Sequence, residues 1–203
     1  MMRYDLDLEL NSAAAARGER MVTEPLSLRL QPGDALTLRG PNGSGKTSLL
    51  RAIAGVGRLS EGAVRVGTAT DAAERARLSH LIGHRPGARG ALSARETLHF
   101  HRIVLDGRGS VDGALERVGL LGDAERKAGA MSAGQLRRLA LARLLVAERA
   151  LWLLDEPTAA LDTDGAAMVE ELVAEHRAAG GVVLIATHDG YAPADAALAR
   201  LAA

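Results

Sequence analysis

Eight consecutive residues constrain this sequence more than any other feature. They read Gly40-Pro41-Asn42-Gly43-Ser44-Gly45-Lys46-Thr47 and fit the pattern G-x-x-x-x-G-K-[ST]. Glycines let a backbone turn tightly and approach a ligand closely, and the N–H groups of such a turn and of a following helix point at an anion. The pattern predicts a phosphate-binding loop. The alternative is a glycine-rich turn that binds nothing.

The residues around this loop favour phosphate binding. Residues 35–38 are typical of a buried strand that enters the loop, and residues 47–54 of a helix that leaves it and stops at Gly55. Lys46 would bring a positive charge to the β- and γ-phosphates of a nucleotide, and the Thr47 hydroxyl is a suitable ligand for the accompanying Mg²⁺.

Composition limits what else the chain can be. Its 203 residues, 47% of them hydrophobic, suffice for one domain with a full core. The formal net charge of +0 and the aromatic content of 2% argue against nucleic-acid binding by a global field or by base stacking. The chain has no cysteine, which excludes disulfides and thiolate metal sites and suits a reducing cytoplasm.

From the distribution of apolar residues we expect neither a secretory leader nor a spanning segment. Acids occupy the N-terminal region where a leader needs an apolar run, and the apolar stretches are of strand length. We therefore expect a membrane role only through a partner.

The first part of the chain predicts antiparallel strands. Residues 4–10 alternate between apolar and acidic side chains, and residues 26–30 alternate again. Between them, residues 11–20 predict a turn or loop. Glu61-Gly62 predicts a turn into a short strand over residues 63–66.

The middle of the chain predicts helices. Ser93 and Glu96 form a capping box that starts a helix on which Leu98, Ile103 and Val104 could share a face. A second helix is expected over residues 111–121. A helical insertion is thus expected over about residues 86–148.

A further helix begins at Ser132, whose capping partner is Gln135. Gly134 lies in its first turn, where it leaves backbone N–H groups open to close approach. This is a second helix N-terminus suited to an anion. The alternative is a plain capped helix.

Two acids end an apolar strand over residues 150–156. Carboxylates at the carboxyl end of such a strand lie where α/β sheets bind ligands, so Asp155 could hold Mg²⁺ and Glu156 could reach a water in line with a γ-phosphate. The alternative is a solvated strand end. His188 follows the next apolar strand, over residues 182–186, and could face the same pocket, whereas the other five histidines lack metal-ligand spacing.

Taken together, these motifs resemble the ATPase subunits of ABC transporters over nearly the whole chain. Gly40–Thr47 is similar to Walker A, residues 131–135 to the LSGGQ motif, and residues 151–156 to Walker B with its glutamate; residues 160–162 match the D-loop and His188 the switch histidine. The short chain, the variant Ser-Ala-Gly-Gln and the stretches at residues 81–87 and 92–100 resemble the heme-exporter ATPase subunits of cytochrome c biogenesis.

The resemblance implies ATP and Mg²⁺ as cofactors and a homodimer with two composite sites. Lys46, Thr47 and Asp155 would hold MgATP, Glu156 would polarise the attacking water, and His188 would sense the γ-phosphate. The other nucleotide-binding residues that it implies are the rest of the loop with Ser48, and Ser132, Gly134, Gln135 and Asp162.

Two positions depart from the family pattern. Arg85 stands where the Q-loop glutamine is expected, and a guanidinium donates but cannot ligate a metal. The aromatic that stacks on adenine is missing, and counting back from residues 26–30 puts Arg17 or Arg20 in its place, where a planar guanidinium could stack.

The expected fold is α/β: one ABC ATPase domain over residues 1–203, with a P-loop core, an antiparallel β lobe within about residues 1–70 and the helical lobe. The expected function is ATP hydrolysis coupled to a membrane-embedded subunit at the cytoplasmic face of the inner membrane, with no nucleic-acid partner. Three alternatives stay open: the ATPase of another exporter, a soluble ABC-type ATPase that acts on DNA or ribosomes, and a nucleotide-binding module without turnover.

Overall fold

The computed structural model describes residues 4–84, 87–188 and 191–201. Their contacts divide the chain into two compact units, Met1–Leu81 with Arg149–Glu156 and Glu170–Ala203, and Ile82–Glu148 with Pro157–Val169. The strands are β1 (Leu8–Arg17), β2 (Arg20–Met21), β3 (Leu26–Leu30), β4 (Ala35–Arg39), β5 (Arg58–Val66), β6 (Ser79–Ile82), β7 (Leu151–Asp155), β8 (Val182–Thr187) and β9 (Ala197–Arg200). The α-helices are α1 (Lys46–Ile53), α2 (Ala72–Leu78), α3 (Ala94–Val104), α4 (Val111–Arg117), α5 (Ala133–Val146) and α6 (Thr163–Ala178).

A five-stranded sheet in the order β6-β7-β8-β4-β9 carries the first unit. The pairs β7–β8, β8–β4 and β4–β9 are parallel. β7 and β8 are buried at every position, which explains their continuous apolar sequences. The parallel pairing brings the carboxyl ends of β4, β7 and β8 to one edge, as the sequence predicted, and the α/β fold class is confirmed.

An antiparallel sheet forms around β1, which pairs with β2, β3 and β5. The prediction of a loop over residues 11–20 was wrong, because β1 continues to Arg17 and turns only at Gly18-Glu19. Ala13, Ala14 and Ala15 are fully buried in it. Alanine has low intrinsic strand preference, and here pairing and burial override it.

The predicted turn at Glu61-Gly62 was also wrong, since both residues lie within β5. Gly62 has a φ of +74°, and its pairing with β1 is irregular, with register shifts after Asn11 and Ala14. A Cβ on Gly62 would lie 2.0 Å from the carbonyl oxygen of Ser12. The glycine therefore marks a bulge in a continuous strand.

The core of the first unit joins its two sheets to α1. Leu49, Leu50 and Ile53 of α1 are fully buried and pack in one cluster with side chains of β1, β4, β7 and β8. This packing fixes α1, and with it the loop of residues 40–45, against the edge where the parallel strands end.

In the second unit α3, α4 and α5 pack against one another. The capping box of Ser93 and Glu96 is confirmed. Leu98 is buried, but Ile103 and Val104 are 75% and 62% exposed, so the predicted shared face was wrong. Side chains that are five or six residues apart on an α-helix point in directions that differ by more than a quarter of a circle. The predicted helix over residues 111–121 ends at Arg117, and Gly119 follows with a φ of +71°. Of the helices that the structure describes, none is long and apolar enough to cross a bilayer.

Candidate active site

The loop between β4 and α1 depends on two glycines for its shape. Gly45 has a φ of +87°, and a Cβ there would lie 2.4 Å from the carbonyl oxygen of Val22. A Cβ on Gly40 would lie 2.6 Å from the carbonyl oxygen of Leu201. Backbone from two distant segments thus approaches the loop so closely that only glycine fits.

The N-terminus of α1 faces the loop without a side-chain cap. Gly45 is the N-cap residue and supplies no capping group, so the first N–H groups of the helix keep their capacity to bind an anion. The Lys46 ammonium is buried and donates hydrogen bonds to the carbonyl oxygens of Gly40 (2.6 Å) and Pro41 (3.0 Å). A cation and several N–H donors therefore meet at one short loop.

Ser44 provides a direct test of fit to a phosphate. Its side chain is 2% exposed, and its Oγ has no hydrogen-bond partner among the described residues. A buried hydroxyl without a partner is costly, and a phosphate oxygen bound in the loop would supply the missing acceptor. The residues present therefore fit a nucleotide phosphate. Ser48 lies buried in the first turn of α1.

Thr47 and Asp155 form the part of the site that suits a metal ion. The Thr47 hydroxyl donates to Oδ2 of Asp155 at 2.7 Å, and Asp155 is 3% exposed at the end of β7. No cluster of three or more His, Asp or Glu within the described ranges could hold a metal by itself. Mg²⁺ commonly binds one or two protein oxygens together with phosphate oxygens and waters, so this pair fits Mg²⁺ that arrives with a nucleotide.

Glu156 lies next to Asp155 in a conformation that non-glycine residues seldom adopt. Its φ is +49°, and its N–H donates to the carbonyl oxygen of Ala186 at 2.8 Å. This bond anchors the strained residue to β8. The carboxylate of Glu156 is thereby placed at the ends of β7 and β8, beside the Thr47–Asp155 pair.

His188 and Thr187 hold the Glu156 carboxylate. The backbone N–H of His188 donates to Oε1 at 2.9 Å, Nδ1 of His188 lies 2.8 Å from the same oxygen, and Oγ1 of Thr187 donates to Oε2 at 3.1 Å. Burial opposes ionisation of Glu156, but the bonds from His188 and Thr187 outweigh it and lower its pKa below the ordinary value. Because an ionised carboxylate only accepts, Nδ1 of His188 carries the proton in this contact.

Arg17 and Arg20 lie at the turn that joins β1 to β2, where they pair in register. Both line a cavity of about 460 Å³ that also touches Gly43. Arg17 additionally lines a cavity of about 240 Å³ with Thr47 and Ser48. Arg17 therefore lies beside the loop. The sequence analysis predicted Arg17 or Arg20 at the position that stacks on the base of a nucleotide.

Ser132 and Gln135 begin α5 in the second unit. The Gln135 N–H donates to Oγ of Ser132 (3.2 Å), and the Ser132 N–H donates to Oε1 of Gln135 (3.0 Å), which confirms the predicted capping box. Gln135 also donates to Oδ2 of Asp123 at 2.9 Å. A Cβ on Gly134 would lie 2.9 Å from the carbonyl oxygen of Ala160, so the first turn of α5 needs a glycine.

Asp162 has a structural contact at the start of α6. Its Oδ1 accepts from the N–H of Gly165 (2.9 Å) and from Nη2 of Arg138 (2.8 Å). The Gly165 N–H and then Arg138 hold the pKa of Asp162 below its usual range. The carboxylate thus caps α6, a role that the sequence pattern did not indicate.

Sequence reasoning missed Thr187 and Val22 as parts of the site. In the sequence Thr187 was recognisable only as the end of an apolar strand. Val22 contributes its backbone carbonyl oxygen, which approaches Gly45, and a backbone contact of this kind leaves no signal in the side chain. Arg85, the expected Q-loop position, lies outside the described residues, so the inference about it stays a prediction.

Comparison with known proteins agrees with this geometry. A family model described as ABC transporter matches residues 23–159. The cytochrome c biogenesis ATP-binding export protein CcmA of Agrobacterium fabrum is 44% identical over 190 residues, which cover 90% of this chain and 89% of that protein. Its counterpart in Ruegeria pomeroyi is 47% identical over 183 residues, which cover 90% and 85%.

Solved structures agree in fold. A structure from Pyrococcus furiosus described as an ABC transporter ATP-binding protein has a TM-score of 0.83 at 23% identity and covers 96% of this chain and 97% of its own. An ATP binding subunit of an ABC transporter has a TM-score of 0.80 at 22% identity and covers 90% and 79%. The chain therefore belongs to the ABC transporter family of ATP-binding proteins, and within it to the group of cytochrome c biogenesis ATP-binding export proteins.

Proposed function

We propose that this chain is the ATP-hydrolysing subunit of an exporter of cytochrome c biogenesis, organised as a single ABC ATPase domain. The observation that carries the proposal is the placement of Thr47, Asp155, Glu156 and His188 at one edge of the sheet, directly beside the loop of residues 40–45. The names of its relatives support the assignment to cytochrome c biogenesis.

In this proposal the loop and Lys46 bind the β- and γ-phosphates of ATP, and Arg17 stacks on the base. Thr47 and Asp155 hold Mg²⁺, which neutralises charge on the phosphate oxygens when bound. Ionised Glu156 orients and polarises the attacking water, and the proton on Nδ1 of His188 keeps that carboxylate in place. His188 also senses the γ-phosphate.

A second copy of the chain completes each site. Ser132, Gly134 and Gln135 of one copy bind the γ-phosphate held by the loop of the other, with Asp162 nearby. The support is Gly134 in the first turn of α5, which carries no side chain that would stand between the backbone N–H groups and an anion. Closure on ATP and opening after hydrolysis would then move the partner.

The partner in this proposal is a membrane-embedded subunit, which places the chain peripherally at the cytoplasmic face of the inner membrane. The exported group is heme, as the family resemblance implies. A soluble ABC-type ATPase that acts on DNA or ribosomes is disfavoured by the formal net charge of +0 and the aromatic content of 2%.

The test is ATP hydrolysis by the chain alone and after co-purification with its native membrane partner. We expect Mg²⁺-dependent hydrolysis that the partner stimulates. Stimulation by DNA or ribosomes instead of a membrane subunit would contradict the proposal. Nucleotide binding without turnover in either state would reduce the chain to a binding module.

A further inference from the structure

A cationic cavity lies beside the phosphate-binding loop, distinct from the Thr47–Asp155 pair. Its volume is about 480 Å³, and it is lined by residues 40–42 of the loop together with Arg39, His188, Arg200 and Leu201. Arg39 is the last residue of β4, and Arg200 is the last residue of β9. All of these residues belong to the first unit.

The two arginines are direct neighbours across parallel strands. Arg39 and Arg200 pair in register, and the Leu201 N–H donates to the carbonyl oxygen of Arg39 at 2.8 Å. Side chains of paired residues in neighbouring strands project from the same face of a sheet, with the backbones about 4.8 Å apart. Two guanidinium groups are therefore directed to one side of β4 and β9, at the entrance to the loop.

Neither arginine has an acidic partner in the part of the chain that the structure describes. Nε of Arg39 is buried and has no hydrogen-bond acceptor among the described residues. Other arginines of the same unit behave differently: Arg65 pairs with Asp7 and Glu9, and Arg177 forms a two-bond pair with Asp195.

Like charges placed side by side on a sheet are destabilising, and a buried guanidinium nitrogen without an acceptor adds to that cost. An oxyanion in the cavity relieves both, because the planar fork of arginine matches the oxygens of a phosphate or carboxylate. The neighbouring residues favour phosphate over carboxylate as the oxyanion. His188 contacts Glu156, and residues 40–42 belong to the loop that faces a nucleotide phosphate.

We propose that Arg39 and Arg200 form a site for inorganic phosphate, which receives the phosphate that ATP hydrolysis releases beside the loop. The inference rests on the proposed ATPase function for the origin of the phosphate, but not for the existence of the site. The two arginines bind the phosphate only after it has been released. They do not take part in the cleavage step, in which water attacks the γ-phosphate and ADP leaves.

The first experiment measures phosphate binding without nucleotide or turnover. Equilibrium dialysis with radiolabelled inorganic phosphate is carried out on the full chain carrying Lys46→Met, which weakens the loop as a competing site. We expect phosphate binding to persist in this variant. Adding Arg39→Met and Arg200→Met should weaken it at least about tenfold, since each charged hydrogen bond contributes that much.

Arg77→Met is the matched control, because Arg77 is exposed on α2 and lies outside the cavity. It should leave phosphate binding unchanged. Equal phosphate affinity with and without Arg39 and Arg200, in proteins with the same thermal unfolding midpoint, would overturn the site. Absence of phosphate binding in the Lys46→Met protein would overturn it as well.

The second experiment measures product inhibition of ATP hydrolysis. In the chain with Lys46 intact, Arg39→Met with Arg200→Met should raise the phosphate concentration needed for half inhibition at least about tenfold and leave inhibition by ADP unchanged. A parallel loss of ADP inhibition would assign the arginines to the nucleotide site and contradict the proposal. A chain that binds phosphate in dialysis but never hydrolyses ATP would reject the ATPase function and leave the anion site standing.

Discussion

Thr47 and Asp155 are joined by a hydrogen bond of 2.7 Å although 108 residues separate them in the chain. The bond connects the start of the helix after the phosphate-binding loop to the end of a central buried strand. It sets two hard oxygen ligands side by side before any metal arrives. We infer that Mg²⁺ and ATP bind together at this pair.

The first prediction concerns Thr47. Thr47→Val removes the hydroxyl and keeps the shape, so ATP affinity in Mg²⁺ should fall by roughly ten- to a hundredfold, as for loss of a bond to a charged group. Affinity in EDTA should change little. Titration with a fluorescent ATP analogue measures both. Thr47→Ser, which keeps the hydroxyl, is the control, and equal Mg²⁺ dependence of Val and Ser variants would contradict the assignment.

The second prediction compares two glycines of the loop. Gly43 and Gly45 both have positive φ values, of +92° and +87°. A Cβ on Gly43 would meet no described atom within 4 Å, whereas a Cβ on Gly45 would lie 2.4 Å from the Val22 carbonyl oxygen. Gly43→Ala should lower the free energy of unfolding by about 1–2 kcal/mol. Gly45→Ala should lower it further, because backbone must move. Chemical denaturation of both variants measures this, and equal losses would refute the close approach.

The third prediction concerns His176, which stacks on Trp152 with ring centroids 3.9 Å apart. Burial is the main cause that lowers its pKa to about 4 from the ordinary 6.5, against an opposing backbone contact with Ala150. The unfolded chain therefore takes up a proton more readily. Stability should be complete above pH 6.5 and fall as the pH drops towards 4, by about 3 kcal/mol from this group.

The measurement is denaturant unfolding between pH 7.5 and 4.5, followed by the fluorescence of Trp152, the single tryptophan. His176→Phe keeps the stacking and removes the titrating group, so it should flatten the pH dependence. His84→Gln, at an exposed position, is the control and should leave the profile unchanged. An unaltered profile in His176→Phe would show that other groups, such as half-buried His101, dominate.

The sequence was sufficient to predict the parts of the site that local patterns encode. The loop glycines, Lys46 and the capping pair of Ser132 and Gln135 depend on neighbours a few residues away. The acids at the end of β7 were predictable because a continuous apolar strand has to be central in the sheet. In each case the residue types required by the chemistry follow one another in the chain.

The remainder depends on contacts between distant segments. Residues Ala13–Ala15 form a strand because they pair with β3 and β5. A run of alanines does not indicate such pairing. Strand β9 has mostly exposed side chains and no alternation, so only its pairing with β4 identifies it. The bond from Thr187 to Glu156 likewise required the adjacent ends of β7 and β8.

The fourth prediction concerns assembly. If Ser132 and Gly134 complete the site of a second copy, MgATP should convert the Glu156→Gln protein into a dimer, because bound ATP is no longer consumed. Light scattering with and without MgATP measures the mass. Lys46→Met in the same background should stay monomeric. A monomer at high concentration with saturating MgATP would count against composite sites.

The most direct test of the account is the rate of ATP hydrolysis by Glu156→Gln. The amide keeps the size of the side chain and loses its charge and basicity, so turnover should fall by about a hundredfold or more, while binding of the fluorescent ATP analogue remains. Glu74→Gln, at an exposed position on α2, should hydrolyse ATP at the parent rate. Hydrolysis by Glu156→Gln at near the parent rate would contradict the role assigned to Glu156.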